Sequence, residues 1–317
     1  MNVSQRGEFG LIAHLHGNLK TRDGTQLGIG DDAAVLNALA HPIVTCDALV
    51  ENVHFRRDWT SARALGIKSM AVNLSDVAAM GARPVAVFIS LALPPDCSSQ
   101  WISELYAGME TLAARFNFTI AGGDMTAAPL VFISVTLIGD LMPAALGRPI
   151  LRSGAQVGDA VCVTGNLGDS AAGLSQLLAG AARDEVLMQR HFEPVPRLDK
   201  IRELLSANRE AIHAGLDLSD GLVGDSSHVA RASGVDIEIN ADALPISDAC
   251  RAAARALNQS ATDWALSGGE DYELCLCVAP DCVGELTQVG RVIEGAGQVR
   301  VYENGQLREG TIGWRHF

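Results

Sequence analysis

The chain has 317 residues, of which 48% are hydrophobic and only 5% are aromatic, and its 37 acidic residues against 24 Lys and Arg give a net charge of −13 at pH 7. This length suffices for two domains with cores of their own. The negative charge argues against nucleic acid or an anionic membrane surface as the main partner. The longest apolar run, residues 85–93, is far shorter than the roughly 20 residues that a membrane-spanning helix needs. Seven cysteines without a CxxC pair, and no visible secretory signal, predict a cytoplasmic protein with reduced thiols.

The first half of the chain alternates strand-like and helix-like segments, which predicts an α/β (α+β) fold. Four short apolar segments are predicted to be strands: 42–45, 85–93, 118–121 and 130–138. Two longer segments place apolar residues at helical spacing and are predicted to be helices: 62–80 and 98–116. The run at 85–93 is almost unbroken, so we expect this strand to be buried on both faces.

The segment 142–158 contains two Pro, three Gly and two Arg and has no periodicity. It predicts a domain boundary, with one domain over 1–145 and a second α/β domain over 146–317. The second domain opens with a predicted strand at 160–164, which is followed by a Gly-rich turn and a helix from Ser170. A further helix is predicted after the loop at 217–221.

Acidic residues beside glycine or a small hydroxyl residue recur along the chain, and we expect them where elements give way to loops. The carboxylates in this pattern are Asp31, Asp32, Asp47, Asp76, Asp124, Asp217 and Asp220. Carboxylates brought together from separate elements repel one another unless they share a cation. Hard oxygen ligands suit Mg²⁺ that holds a polyphosphate, and this number of carboxylates predicts several ions. The pattern therefore favours metal-assisted phosphoryl transfer, although Asp and Gly are also common in ordinary turns.

Two Gly-rich stretches could bind phosphate through backbone N–H groups: Gly122 and Gly123 before Asp124, and the turn at 165–168 before a helix. The second stretch is equally consistent with an ordinary strand-to-helix turn. The stretch at 28–33 matches the dinucleotide pattern G-x-G-x-x-A. We reject that interpretation because two Asp would face the pyrophosphate and no buried strand precedes the motif.

Eight motifs in order along the chain resemble the thiamine-monophosphate kinase family. They are GIGDDAAV, TCDALVENVHF, KSMAVNLSDVAAMGARP, IAGGDMTAAP, RSGAQVGDAVCVTGNLGDSAAGL, DLSDGLVGDSSHVA, LSGGEDYEL and GWRHF. The resemblance implies transfer of the ATP γ-phosphate to thiamine monophosphate, the last step of thiamine diphosphate synthesis. It also implies the two-domain fold of aminoimidazole-ribonucleotide synthetase. In that fold the N-terminal domains of a homodimer pair into a shared β-barrel, so that domain would bind ATP and metal and dimerise.

The resemblance also implies roles for residues. Metal-ligand positions fall on Asp32, Thr45, Cys46 through its backbone, Asp47, Asp76, Asp124, Asp217 and Asp220, and Asp31 joins them through the acidic pattern. Nucleotide positions fall on Tyr106, Gly122, Gly123, Asp124, Arg152 and Ser219, and substrate positions on His54, Glu270 and Trp314. The chain departs from the family before His54, where Asn52 stands in place of the more usual glycine. Asn tolerates a positive φ better than most residues.

Three functions stay open at this point. The first is the kinase, with several Mg²⁺, ATP as co-substrate, thiamine monophosphate as acceptor, and neither nucleic acid nor membrane as a partner. The second is an ATP-dependent synthetase for another small substrate, and the third is a binding module without catalysis. For the kinase we expect direct transfer, because none of His54, His213 and His228 has a paired base at a suggestive spacing.

Overall fold

The computed structural model describes residues 19–308 together with residues 10, 12, 14, 15 and 17, so Trp314 lies outside the described residues. The chain forms two compact units. The first comprises Met1–Val77 and Ala82–Leu141, and the second comprises Ala78–Gly81 and Met142–Phe317. The sequence placed its boundary between residues 145 and 146, and the units divide between residues 141 and 142.

The first unit is built on a four-stranded sheet. Its strands are β3 (Pro42–Val50), β4 (Ala82–Leu93), β5 (Thr119–Ala127) and β6 (Phe132–Leu141), in the order β3-β6-β4-β5, and β1 (Thr25–Leu27) pairs separately with β2 (Val35–Leu36). Its helices are α1 (Ala62–Ala79) and α2 (Ser99–Phe116). Ser98 caps α2 by accepting the Gln100 N–H, and Asn117 ends the helix with a left-handed φ of 55°. Strands β3 and β4 each run antiparallel to β6, whereas β4 and β5 are parallel.

The two faces of this sheet differ in burial. Alternate residues such as Ile89 and Val135 are fully buried, whereas Val44 is 63% exposed and Ser90 is also exposed. Within a single chain the side chains from Phe88 onward alternate between buried and less buried, so burial of residues 85–93 on both faces stays a prediction that depends on a second copy of the chain. None of the sheets formed by residues 19–308 closes into a barrel.

Three acidic residues of this unit lie inside elements, not at their ends as predicted, whereas Asp31 and Asp32 lie in a loop as predicted. Asp47 lies within β3, Asp76 within α1 and Asp124 within β5. The apolar run at 42–45 marked only the start of β3, because Asp47 interrupts the apolar pattern although the strand continues as far as Val50. A half-buried edge strand tolerates such an interruption.

The second unit contains a seven-stranded sheet in the order β13-β12-β9-β11-β7-β10-β8. Its strands are β7 (Ala160–Val163), β8 (Ile212–Asp217), β9 (Asp236–Asn240), β10 (Leu274–Val278), β11 (Thr287–Ile293), β12 (Val299–Glu303) and β13 (Gln306–Arg308). Its helices are α3 (Asp169–Leu178), α4 (Glu185–Phe192), α5 (Leu198–Asn208), α6 (Leu222–Ser233), α7 (Asp248–Leu257) and α8 (Ala261–Ser267). Short 3₁₀ turns cover Pro143–Ala145, Arg209–Ala211, Ala241–Ala243 and Pro280–Cys282. Core residues such as Val161, Leu216 and Val289 are fully or almost fully buried.

Strand directions gather three loops at one end of this second sheet. Strands β7 and β8 both run antiparallel to β10, so they are parallel to each other. The loops that leave β7 and β8 therefore lie at the same end of the sheet as the loop that enters β10. These loops are 164–169, 217–221 and 268–273; the first is the predicted Gly-rich turn, and the other two contain acidic residues that the sequence singled out.

Among the described helices, none has the length and apolar character that crossing a membrane requires. All seven cysteines are free thiols, and Cys46 and Cys282 are the exposed ones.

Candidate functional site

In the first unit, the centre of the predicted site is a pair of carboxylates on β3 and α1. Thr45 and Asp47 lie two residues apart on β3 and so share one face of the strand. The Thr45 hydroxyl donates to Asp76 Oδ2 on α1. The Asp47 N–H donates to Asn73 Oδ1 over 3.1 Å, and Asn73 Nδ2 in turn donates to the Ser69 carbonyl over 3.2 Å. Asn73, which is fully buried, thereby ties the backbone of β3 to α1 at the position of Asp47.

The two carboxylates repel each other. Burial, the charge of Asp76 and a hydrogen bond to Asp76 together raise the pKa of Asp47 to about 6. Two adjacent carboxylates therefore favour either a shared proton or a bound cation.

The donor set of this pair fits Mg²⁺. It offers carboxylate and hydroxyl oxygens, which are the hard ligands that this ion prefers. Among residues 19–308, no three His, Cys, Asp or Glu side chains converge closely enough to form a metal site by themselves. Mg²⁺ commonly uses only one or two carboxylates and completes its shell with water and substrate phosphates, so a carboxylate pair is an appropriate protein contribution.

Other predicted metal residues of the first unit are more exposed. Asp31 and Asp32 lie in an exposed loop, where the Asp32 N–H donates to Asp31 Oδ1 over 2.8 Å. The Cys46 side chain occupies the opposite face of β3 from Thr45 and Asp47, and its Sγ lies 3.4 Å from Thr136 Oγ1. That placement leaves the Cys46 backbone, as expected from the resemblance, as the part of the residue that is next to Thr45 and Asp47.

The Gly-Gly-Asp stretch lies on edge strand β5. Gly123 has a φ of 152°, and a Cβ there would overlap the backbone of Ile89, so the two strands approach as only glycine permits. Asp124 is exposed and pairs in register with Ser90. Tyr106 of α2 is 6% exposed, and burial raises the pKa of its phenol. Contact of Tyr106 with nucleotide stays a prediction.

His54 lies in a tight turn that begins at the end of β3. The His54 N–H donates to the Val50 carbonyl over 2.9 Å, and Nδ1 of its ring accepts the Val50 N–H over 3.0 Å. Since Nδ1 accepts, the proton of the neutral ring lies on Nε2. Asn52 adopts a φ of 66°, the left-handed conformation that glycine would supply, so the substitution preserves the turn.

In the second unit, the loop at 218–221 carries Ser219 and Asp220 and follows Asp217, the last residue of β8. Two backbone hydrogen bonds join Leu218 to the loop that enters β10. Its N–H donates to the Glu273 carbonyl over 2.8 Å, and its carbonyl accepts the Tyr272 N–H over 2.9 Å. The Glu270 N–H donates to the Ser219 carbonyl over 2.8 Å. The predicted nucleotide loop and the loop of the predicted substrate residue are therefore fixed to each other.

Asp225 also holds this loop, and the sequence reasoning missed it. One carboxylate oxygen, Oδ2, accepts the N–H groups of both Ser219 and Asp220 over 3.0 Å. Asp225 is 4% exposed, and burial raises its pKa to about 7 against the opposing effect of these hydrogen bonds. Arg152 lies close enough that its charge lowers the pKa of Asp225. The available signal was an Asp in the first turn of the helix that follows the motif.

The Gly-rich turn at 165–168 does not offer a vacant anion site. The Gly168 N–H donates to both carboxylate oxygens of Asp271, over 3.0 and 2.9 Å. The chain's own carboxylate thus takes the place at the start of α3 that a phosphate would take, and the ordinary-turn interpretation is the correct one. Burial raises the pKa of Asp271 well above its usual range.

The loop that enters β10 also carries Glu270, which has a left-handed φ of 56°. Its Oε2 lies 3.4 Å from Nδ1 of His191, and the same nitrogen lies 3.0 Å from the Ser170 hydroxyl. Further along, the buried Glu273 accepts hydrogen bonds from Arg197 Nε and from the Thr164 hydroxyl, each over 2.6 Å. The sequence reasoning missed these supporting residues because they are brought together only by the fold.

One expectation about histidines is wrong. His213 does have a paired base, because its Nδ1 lies 2.8 Å from Asp159 Oδ1. The pair lies near the start of β8 and immediately before β7, at the opposite end of the sheet from Asp217. Four residues along a strand correspond to about 13 Å, so this pair is remote from the loops that gather at the other end.

Comparisons with known proteins identify two matching families and similar chains. The chain matches the family "AIR synthase related protein, N-terminal domain" over residues 30–141 and the family "AIR synthase related protein, C-terminal domain" over residues 156–303. The thiamine-monophosphate kinase of Mycobacterium tuberculosis (strain CDC 1551 / Oshkosh) is 38% identical, over 99% of this chain and 93% of that protein.

Two solved structures are similar along nearly the whole chain. The thiamine-monophosphate kinase from Stenotrophomonas maltophilia K279a is 38% identical with a TM-score of 0.81, over 95% of this chain and 98% of that one. AaThiL complexed with AMPPCP and TMP is 35% identical with a TM-score of 0.79, over 100% of this chain and 99% of that one.

Proposed function

Because this chain belongs to the thiamine-monophosphate kinase family, we propose that it passes the γ-phosphoryl group of ATP directly to the phosphate of thiamine monophosphate, with Mg²⁺ held by its carboxylates. Its reaction is the ATP-dependent phosphorylation of thiamine monophosphate, which yields thiamine diphosphate and ADP. The observation that carries the mechanism is the mutually repelling pair of Asp47 and Asp76, because such a pair needs a cation and the cation in turn attracts phosphate.

We assign three groups of residues to this reaction. The metal ligands are Asp31, Asp32, Thr45, the Cys46 backbone, Asp47, Asp76 and Asp124 in the first unit and Asp217 and Asp220 in the second. The nucleotide contacts are Tyr106, Gly122, Gly123, Asp124, Arg152 and Ser219. The substrate contacts are His54, Glu270 and Trp314. Support comes from the element positions described above and from the family's motifs.

When bound, Mg²⁺ neutralises charge on the phosphates and aligns the oxygens for in-line displacement. The chain's residues do the rest. Thr45 and Asn73 hold Asp76 and Asp47 in place, and the carboxylate of Glu270 is suited to attract the cationic ring of thiamine. An oxygen of the acceptor phosphate forms the new bond to the γ-phosphorus while the bond to the β–γ bridging oxygen breaks, and ADP leaves. The acceptor is ionised at neutral pH, so no general base is required.

Direct transfer inverts the configuration at phosphorus, and this gives the test. Incubation with chiral γ-phosphate ATP, Mg²⁺ and thiamine monophosphate should yield thiamine diphosphate with inverted configuration. Retention, or ³²P-labelled protein trapped with ATP alone, would contradict direct transfer. Failure to form thiamine diphosphate at all would favour the synthetase or the binding module.

We also propose that the protein acts as a cytoplasmic homodimer, in which the first units of two copies close their sheets into one barrel. The support is the less buried face of the sheet, which carries the exposed Val44 and the half-buried Phe88 and Phe132. A second copy of the chain would bury these side chains. Light scattering at micromolar concentration should give twice the mass of one chain. Val44→Asp should lower that mass, and a monomeric wild type would contradict the proposal.

A further inference from the structure

We infer that Asp225 is a positioning residue for the metal–nucleotide complex, and that it acts by fixing the backbone of Ser219 and Asp220. The inference rests on the proposed function, because that proposal assigns Ser219 to nucleotide and Asp217 and Asp220 to metal. Asp225 itself belongs to none of these groups.

The geometry gives Asp225 a specific hold on the loop. It lies in the first turn of α6, and its Oδ2 accepts two consecutive N–H groups, those of Ser219 and Asp220, each over 3.0 Å. Two successive peptide groups that point at one oxygen have little freedom left in the torsions between them. Asp225, a residue of the next helix, thereby fixes the backbone positions from which the side chains of Ser219 and Asp220 extend.

The other hydrogen bonds that hold the loop at 218–221 connect it to the loop that enters β10. The carbonyl of Ser219 accepts the Glu270 N–H, and Leu218 bonds to Tyr272 and Glu273. These bonds fix the loop to the strand entry at β10, whereas Asp225 fixes it to α6. Loss of Asp225 therefore releases one side of the loop and leaves the other side attached, which predicts misplacement of the loop without unfolding of the sheet.

The charged residues that act on Asp225 include two that the proposed function assigns to the metal–nucleotide complex. Arg152, assigned to nucleotide, lies close enough for its positive charge to act on Asp225. Asp220 also interacts electrostatically with Asp225. The Asp225 carboxylate thus stands among three residues that the proposed function assigns to the metal–nucleotide complex: Arg152, Ser219 and Asp220.

The chain offers a matched control in Asp236. This residue is 2% exposed, and its Oδ1 accepts the N–H groups of Ala296, Gly297 and Gln298 over 2.8, 3.1 and 2.9 Å. It performs the same kind of loop fixation in the same unit, but the turn that it holds joins β11 to β12 and carries none of the assigned residues.

The test measures equilibrium binding of Mg·AMPPCP to the full chain by titration calorimetry, without thiamine monophosphate. Asp225→Ala should weaken binding by about tenfold, since it removes two hydrogen bonds to a charged acceptor from the binding loop. Asp225→Asn keeps one oxygen that can accept both N–H groups and should weaken binding by only about threefold. Asp236→Ala should lower the melting temperature and leave Mg·AMPPCP binding unchanged. In turnover assays, Asp225→Ala should raise KM for ATP more than KM for thiamine monophosphate.

The outcomes separate cleanly. Binding by Asp225→Ala within twofold of wild type, or weakened no more than by Asp236→Ala, overturns the inference. If Asp225→Ala fails to fold, Asp225→Asn decides the matter, because wild-type affinity in that variant overturns it too. A wild type that does not bind Mg·AMPPCP also overturns the inference. A wild type that binds Mg·AMPPCP but forms no thiamine diphosphate overturns the proposed function alone.

Discussion

The pair of Arg197 and Glu273 supports the loop at 268–273, which carries the proposed substrate residue Glu270, and we expect Arg197→Met to show how much stability the pair contributes. Glu273 is 1% exposed and lies at the entry to β10, three residues after Glu270. Arg197 binds it through two nitrogens, one of which is Nε at 2.6 Å, and the Thr164 hydroxyl donates to it as well. Replacing Arg197 by Met keeps most of the side-chain volume and leaves a buried carboxylate without its main partner.

The magnitude follows from the surroundings of Glu273. Breaking a buried ion pair by removing one partner generally costs about 3–5 kcal/mol. Here Thr164 keeps its hydrogen bond, and Arg190 Nη1 stands 3.9 Å from Glu273 Oε1 and supplies some compensating charge. We therefore expect about 3 kcal/mol for Arg197→Met. Glu273→Gln combined with Arg197→Met removes the buried charge, so the double variant should cost about 1 kcal/mol.

The assay is urea unfolding of wild type, both single variants and the double variant at pH 7.5, followed by circular dichroism. A thermodynamic cycle then gives the coupling free energy, expected at about 2 kcal/mol or more. The matched surface pair Arg148 and Glu210, which is exposed on both sides, should give less than about 1 kcal/mol. If Arg197→Met costs under about 1 kcal/mol, or if the cycle is additive, the account of Glu273 as a buried, paired charge is refuted.

Three further predictions concern the assigned site residues. Asp47→Asn should lower kcat by about 100-fold or more at millimolar Mg²⁺, because it removes a carboxylate from the charge-neutralising set. In EDTA the same variant should be more stable than wild type at pH 8 by about 2 kcal/mol and not at pH 4. The folded-state pKa of Asp47, about 6, exceeds the ordinary 3.8, so protonation of Asp47 stabilises the folded wild type at low pH. That stabilisation is lost as the pH rises through 6. An equal difference in unfolding free energy at both pH values would contradict that sign. Gly123→Ala should lower the melting temperature and raise KM for ATP, because its Cβ would overlap Ile89. Gly158→Ala, at a positive φ in open space, should leave KM for ATP unchanged, and equal effects of the two variants on KM would count against the close approach at Gly123. Trp314→Ala should raise KM for thiamine monophosphate by roughly 2- to 30-fold and leave KM for ATP unchanged, since an indole can stack on a cationic ring. An effect on thermal stability alone would assign Trp314 to packing.

From residue 42 onward, the sequence predicted the types and order of the elements of the first unit because their periodicity is local, whereas the short strands β1 and β2 were missed. Helix α2 was recognised from its apolar spacing and its Ser cap, and both features lie within the helix. Strand β3 was predicted too short, since the charged Asp47 interrupts its apolar residues. Asp217 was placed correctly at the end of a strand, whereas Asp47 and Asp124 lie within strands.

The residues that stabilise the loops of the candidate site could not be predicted from local periodicity. Arg197 reaches Glu273 across 76 residues of sequence, and Gly168 reaches Asp271 across 103. No spacing rule relates such positions, because the contact depends on which strands become neighbours in the sheet. Asp225 is an intermediate case, since it lies only five residues from Asp220 but uses its carboxylate for backbone N–H groups rather than for a ligand. A sequence pattern identifies an acidic residue and gives no indication of which of these tasks it performs.

This distinction explains how an acidic chain can handle anionic substrates. Three carboxylates accept hydrogen bonds from backbone N–H groups and so stabilise loops of the fold: Asp225, Asp236 and Asp271. Carboxylates used in this way add little affinity for cations. Asp47 and Asp76 instead interact with each other: burial, and then repulsion by the charge of Asp76, raise the pKa of Asp47. A cation bound by the two carboxylates would relieve this repulsion, and its positive charge would then attract a phosphate. Under the proposed function, replacing Asp47 by a basic residue should not substitute for the ion, because a fixed point charge lacks open coordination positions.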